Sequence, residues 1–477
     1  MIQKQHLLKP LIYLATSILI APLQCLAAAP DQLTLDIVLE SSQQTTPQVA
    51  TETGLLSACS SLGNLADGQR SPQQDNLLVI CSSMNQANQS ELDNFHEQLS
   101  PKYASSLSKN ITTGNNTSRI RSVSNRSSAR PAKRSKNTQA DATYFESDSG
   151  NYYGDYSDVY QNESYFYKAS FSPSNLTDSE NGQFDNLNEL LKRVDAFASV
   201  YTLHATKDAT IQDSGYENDT ISLLLGGNYR YTNKFIIGTA LELAYSELAL
   251  NPQKGGIEID NYNLSLFGSY LYKPQWIFDA SIYTGIYDYQ TSRDVIFFLG
   301  GAPSIEKINS STDAFQWGLS LNTSYSWNYN NGIELTALGK FTYINAEVDG
   351  YEEQGSTGFE LIVDDQENQN ASTDITIETR RAYGFSWGSL IPQISITWIH
   401  ELDEEAAPVI SSFAADPDAS LIAFNTDEFD QDYFNFLVGS YIGLPRGLSG
   451  FAQLETILDL DDYTSTNFSI GIRTELK

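Results

Sequence analysis

The sequence predicts an all-β fold, a twelve-stranded antiparallel transmembrane β-barrel over residues 184–477, preceded by a small α-helical N-terminal region and a disordered linker. Three observations predict it. From about Val194 onward, apolar and polar residues alternate with period two. The alternating stretches run to about 12 residues, longer than most soluble strands and close to what a tilted membrane strand needs. Short and long connections also alternate, as they do where one rim of a barrel carries tight turns and the other long loops.

The strand from Tyr262 to Tyr272 shows the pattern. Tyr262, Leu264, Leu266, Tyr270 and Tyr272 share one face, and Asn263, Ser265 and Ser269 share the other. On the preceding strand Phe235, Ile237, Leu241, Leu243 and Tyr245 oppose Gly238, Ala240, Glu242 and Ser246. Later, Ile394, Ile396 and Trp398 alternate with Gln393, Ser395 and Thr397. Apolar side chains are expected to face lipid, polar ones a lumen, and aromatics the two interfaces. Expected short turns are Thr232-Asn233, Lys273-Pro274, Asn328–Asn331, Gly388-Ser389 and Leu444–Arg446; expected long loops include Ser292–Thr312, Gly350–Thr373 and Glu401–Asp430.

Residues 1–28 read as a secretory signal: Lys4 and Lys9, an apolar run from Leu11 to Leu23, and small residues at Ala27 to Ala29. Pro30 places cleavage after Ala27 or Ala28. Cys25 offers a lipoprotein alternative, disfavoured by Gln24 and Pro22. Residues 29–111 form a small helical region, with Leu92, Phe95 and Leu99 at helical spacing before Ser100-Pro101 ends the run. Once the signal is removed, Cys59 and Cys81 are the remaining cysteines, and an isolated pair in an oxidising compartment is expected to form a disulfide between Leu55–Leu65 and Leu77–Met84. A metal site there needs more ligands than nearby His96 supplies.

Residues 112–183 read as a disordered linker with no sustained apolar period. Arg119, Arg121, Arg126, Arg130, Lys133, Arg134 and Lys136 make its first half basic, and its second half is acidic and rich in Tyr. The basic run fits a solvated linker, a contact with an anionic polymer such as lipopolysaccharide, or a stretch lying in an acidic pore. Phe184, Leu187, Leu190, Leu191 and Val194 then share one helical face.

The formal charge of −31 excludes a general nucleic-acid role. By parity Arg230, Glu242, Glu334, Lys340, Arg380, Glu455 and Arg473 face the lumen, where charges must be hydrated or paired.

Several blocks in order resemble the autotransporter β-domain family: Val194–Ser199, Leu225–Tyr231, Leu266–Tyr270, Gly285–Tyr289, Ala346–Glu353, Pro392–Glu401 and Asn467–Leu476. The resemblance implies a twelve-stranded barrel with a helix at its entrance, inserted by the barrel-assembly machinery, and export of the N-terminal segment by type V secretion. It places the chain in the bacterial outer membrane, among lipid and lipopolysaccharide, and a monomer is expected. The sequence departs from the family in its short, non-repetitive N-terminal part and in ending on Lys477 instead of an aromatic residue. The segment around Cys59 and Cys81, ending at Gln98–Pro101, also resembles a short helical region found before some such barrels.

No catalytic residue, metal or cofactor is expected. Gly384-Phe-Ser-Trp-Gly388 fits a G-x-S-x-G pattern, but parity puts Ser386 inside a strand on the lumenal side near a short turn, and His400 on the lipid side near the opposite rim. The rival reading is an omptin-like protease or other outer-membrane hydrolase using His204, His400, Asp208, Asp213 and Asp403. A third is a pore. The acidic loops, with Glu352, Glu353, Asp364, Asp365 and Glu367 in one and Glu401, Asp403, Glu404, Glu405, Asp416, Asp418, Asp427, Glu428 and Asp430 in another, read as solvated surface, or as oxygen ligands for calcium or magnesium without a regular loop spacing.

Overall fold

The computed structural model describes residues 46–112 and 193–475, apart from 67, 252–253, 299–303, 330–331, 403–407 and 429. The expected signal peptide at 1–28, residues 113–183 of the linker expected at 112–183, and the helix expected from Phe184 as far as residue 192 lie outside the described residues; Val194 itself opens a strand.

Among the described residues, four helices come first. α1 (Pro47–Asn64) begins where the Thr46 side chain accepts from the Val49 N–H and Pro47 fixes the first turn. α2 (Pro72–Met84) and α3 (Gln89–Leu99) each start with a capping box, Ser71 with Gln74 and Asn88 with Glu91. α4 (Lys102–Thr112) follows directly. The helices are longer than the segments expected around the two cysteines, because both caps lie well upstream of the apolar residues. Pro101 ends one helix and also begins the next turn, so a separate α4 follows where sequence reasoning stopped.

Seventeen strands follow in chain order. The barrel strands are β1 (Val194–Lys207), β2 (Gly215–Arg230), β3 (Phe235–Asn251), β4 (Lys254–Lys273), β5 (Trp276–Phe297), β6 (Ser304–Asn328), β7 (Ile333–Val348), β10 (Gln366–Arg381), β12 (Gly388–Glu401), β15 (Asp432–Gly443), β16 (Leu448–Leu458) and β17 (Tyr463–Glu475). Short β11 (Tyr383–Phe385) continues β10 past Ala382. Each strand pairs antiparallel with its neighbours, and β1 pairs with β17 along its length, closing a twelve-stranded barrel. Closure satisfies the backbone hydrogen bonds that lipid cannot. The outward face is apolar, with Ile237, Leu241, Leu266, Ile394, Ile396 and Ile470 all exposed on the isolated chain.

Three expected connections are corrected. Gly388 and Ser389 belong to β12, and the short turn is at Ser386 and Trp387. Ser292–Thr312 is mostly strand, because β5 and β6 stay paired from Ser292–Asn309 up to Phe297–Ser304. Gln366–Thr373 is likewise the start of β10, not loop. Polar alternation continues past the membrane boundary in these hairpins, so composition alone put the loop start too early.

The remaining long connections build a second sheet. β8 (Tyr351–Glu352) and β9 (Leu361–Val363) come from one loop, and β13 (Pro408–Phe413) and β14 (Ile422–Asn425) from another, in the order β14-β13-β9-β8.

Candidate functional site

The helices dock on the rim that carries the long connections. Asn76 donates to the Ser356 carbonyl at 2.8 Å, Gln74 to that of Ala415 at 3.2 Å, and Ser61 to Asp418 at 2.6 Å. Lys102 reaches Glu97 at 2.8 Å and the Thr210 carbonyl at 3.5 Å. Beneath these contacts lies one apolar core. Leu55, Leu62, Leu77, Phe95, Leu99 and Leu107 of the helices pack with Phe359, Leu361, Phe413, Ile422 and Phe424 of the loops and with Tyr289, Val295 and Ile308 of the upper barrel wall. Each such side chain taken fully out of water contributes roughly 1.5–3 kcal/mol. The described residues from 46 onward accordingly belong to one compact unit.

Two glycines permit the close approach. A Cβ on Gly54 of α1 would meet the Ile422 side chain at 2.6 Å. Gly358, at φ +89°, brings its loop against α2, where a Cβ would meet the Gln73 carbonyl oxygen at 2.5 Å.

The joint is centred on a buried charge. Glu353 receives Arg293 Nε at 2.6 Å and Nη2 at 2.7 Å, the Tyr103 hydroxyl at 2.7 Å and the Leu361 N–H at 2.8 Å. Arg293 also donates to the carbonyls of Gln98 and Phe359, and Tyr351 donates to the Tyr103 oxygen. Barrel strand β5, the loop and the helices thus meet at one ion pair. Burial, reinforced by the negative charge of Glu353, pushes the Tyr103 hydroxyl well above the usual tyrosine range. Sequence reasoning missed Arg293 and Tyr103; it grouped Glu353 with solvated loop acids. Glu360 is buried as well, accepting the backbone N–H groups of Thr357 and Gly358, and Asp416 accepts those of Asp418 and Ser420. These three carboxylates shape the loops, which corrects the solvated reading for Glu353 and Asp416. Among the described residues no group of His, Cys, Asp and Glu is placed to hold a metal ion.

α4 enters the mouth. Its Leu107 carbonyl accepts the Tyr289 hydroxyl from β5 at 3.3 Å, and it packs on β7 and β10. Cys59 of α1 and Cys81 of α2 are joined by a disulfide with a Cα–Cα distance of 5.7 Å.

Below the mouth the predicted lumen charges line the wall. Glu334 and Arg380 pair across β7 and β10 at 2.8 Å, and Lys340 pairs with Asp374 on the same two strands at 3.4 Å. Arg473 bonds Asp195 across the seam of β17 and β1. Glu242 accepts from Tyr201, Ser222 and Asn263. Glu455 is buried opposite Asn467, and half-buried Arg230 sits at the end of β2 near Asp195 and Glu475. The partners Asp195 and Asp374 were not identified from sequence, although alternation places both on the inner face.

The candidate catalytic groups are not brought together. Ser386 lies in the turn between β11 and β12, not inside a strand, at the rim opposite His400. His400 contacts Asp432 at 3.0 Å across β12 and β15, and His204 contacts Asp219 at 2.8 Å across β1 and β2. Three strands separate the two histidines around the barrel. Asp213 is buried beside Lys207, and Asp403 lies outside the described residues.

A closed barrel with an apolar outer wall, a polar lumen and its own N-terminal helices seated on one rim defines a bacterial outer-membrane β-barrel protein. The sequence profile of the Autotransporter beta-domain matches residues 196–455, and the chain belongs to that family. It is 26% identical over 202 residues to Esterase EstA of Pseudomonas aeruginosa, covering 42% of this chain and 30% of that protein. It is 21% identical over 176 residues to Outer membrane protein B of Rickettsia japonica, covering 36% of this chain and 10% of that protein. The chain thus spans less than a third of the length of these relatives. The translocator domain of autotransporter NalP from Neisseria meningitidis superposes with a TM-score of 0.47 at 12% identity, covering 62% of this chain and 90% of that one. The β-domain of the Bordetella autotransporter BrkA gives 0.45 at 12% identity, covering 59% and 99%.

Proposed function

We propose that this barrel is a membrane anchor that carries its own N-terminal helices to the cell surface and holds them there as a cap over its mouth, without catalysis. The single observation behind this reading is the docking of α1–α4 on the rim with the long connections, the rim that faces outward in outer-membrane barrels. The buried Arg293–Glu353 pair ties the cap to the wall, and the disulfide fixes α1 to α2. The cap lies where a freely conducting pore would need an opening, which favours display over transport. Barrel-assembly machinery, lipopolysaccharide and a monomeric state belong to the same proposal.

The name of EstA raises an esterase reading. Its matched part is less than a third of that protein, and the one G-x-S-x-G serine here stands in a turn away from both paired histidines.

An epitope inserted at exposed Gly68, between α1 and α2, tests the proposal on intact cells. Antibody should label unpermeabilised cells. Labelling only after the outer membrane is opened refutes surface display. Purified protein is expected to leave nitrophenyl esters unhydrolysed above the rate of a His204→Ala/His400→Ala variant.

A further inference from the structure

Between α4 and the barrel wall lies a cavity of about 300 Å³, separate from the Arg293–Glu353 pair and from the lumen ion pairs. Ser105 and Ser106 of α4 line it on the cap side, and Tyr216, Tyr433 and Tyr463 of β2, β15 and β17 line it on the wall side. Loop acids, among them Asp461 and Asp462, complete the lining. We propose that this cavity binds an organic cation, ammonium groups carried on an alkyl chain as in a polyamine.

Shape, ring chemistry and charge agree on that class. The volume stands at the lower end of pockets that hold small organic ligands. A bare divalent ion needs a tight shell of oxygens at roughly 2.0–2.6 Å instead. Tyrosine rings attract a cation to their faces, while their edges and the alkyl chain exclude water from each other. Acids at a cleft entrance raise the local concentration of cations and repel anions. Lys207, the basic residue in the described lining, is held by Asp427 at 3.5 Å and Asp213 at 3.9 Å.

Position adds a consequence. One wall belongs to the cap and the other to the barrel, so an occupant touches both, and its binding and the docking of α4 favour each other. The inference rests on the docked cap of the proposed function. The two fail separately, because surface display is read on cells and this site on purified protein.

Titration calorimetry of the full chain refolded in detergent tests the site, with spermidine as probe and magnesium chloride at matched ionic strength as comparison. Spermidine should give a saturable single-site isotherm, and magnesium none. Asp461→Asn/Asp462→Asn should weaken spermidine about tenfold or more, since two carboxylates of the lining are neutralised. Asn tolerates the positive φ of Asp462, 53°, so the loop keeps its shape. Tyr463→Leu keeps the acids but removes a ring, and should also weaken binding. Absence of saturable heat, a magnesium isotherm equal to that of spermidine, or unchanged affinity in both variants overturns the proposal.

Discussion

Tyr103 and Glu353, 250 residues apart in the chain, share a 2.7 Å hydrogen bond that joins the N-terminal cap to a barrel loop. The same carboxylate holds Arg293 through two bonds, so three distant segments depend on one buried charge. Replacing Glu353 with Gln leaves the guanidinium buried without its counter-charge, and the cap should lose about 3–5 kcal/mol of docking stability. Arg293→Met/Glu353→Met should recover much of that loss. Tyr103→Phe, which removes one hydroxyl from an acceptor that keeps other donors, should cost about 1–3 kcal/mol. Native-state proteolysis of the cap in the refolded protein measures all three. Equal protection of Glu353→Gln and the parent chain would contradict this account.

Little of that joint was legible in the sequence, for a physical reason. Alternation reports which wall face a residue takes, so Glu334, Lys340 and Arg380 could be assigned to the lumen. It says nothing about what covers a rim. The acids of the loop around Glu353 look alike in composition, yet Glu353 and Glu360 are buried while Glu352 is exposed. The difference arises from Arg293, Tyr103 and the backbone N–H groups of Thr357 and Gly358, all brought in by tertiary packing. The helical signals of the N-terminal region were legible because apolar spacing and a proline stop are local. Its docking partner was not, because exposed and buried apolar residues in loops carry no period.

The disulfide should stabilise the cap and leave the barrel untouched. Cys59 and Cys81 close a loop with a separation of 22 residues, and closing a loop of that size is worth about 3 kcal/mol in the chain-entropy account. Cys59→Ser/Cys81→Ser should therefore make α1 and α2 protease-sensitive at a lower urea concentration. The folded barrel should still migrate faster than the boiled one on gels, since among the described residues the two helices rest on the loops and upper wall. A variant that loses this migration shift would show that the cap is needed for barrel folding.

His96 gives the cap a pH dependence. Its ring is 3% exposed, and burial lowers its pKa from 6.5, opposed by the nearby carboxylates of Glu52 and Asp93. The unfolded cap therefore takes up a proton at a higher pH than the folded one. Stability is full above pH 6.5 and falls as the pH drops below it, until the folded ring is protonated too. His96→Gln should flatten this part of the profile. Urea midpoints of the parent and variant between about pH 5 and 8 test it, and parallel curves would remove His96 from the explanation.

Two glycines in and around the cap should respond in opposite ways to one added methyl group. Gly358 sits at φ +89° with the Gln73 carbonyl oxygen 2.5 Å from where a Cβ would stand. Alanine there meets backbone strain and a clash that no side-chain rotation relieves, a combined cost on the order of 1–3 kcal/mol. The loop should lift from α2 and expose Phe359, whose ring packs edge-on to Phe95 at 5.5 Å. Gly63, in the last turn of α1, has nothing within 4 Å of its virtual Cβ and no positive φ. Alanine should stabilise that helix by about 0.4–1 kcal/mol through the lost freedom of the unfolded chain. Opposite shifts in cap protection for Gly358→Ala and Gly63→Ala are the expected outcome. A stabilised Gly358→Ala would mean that this loop does not rest on α2 in the membrane-embedded protein.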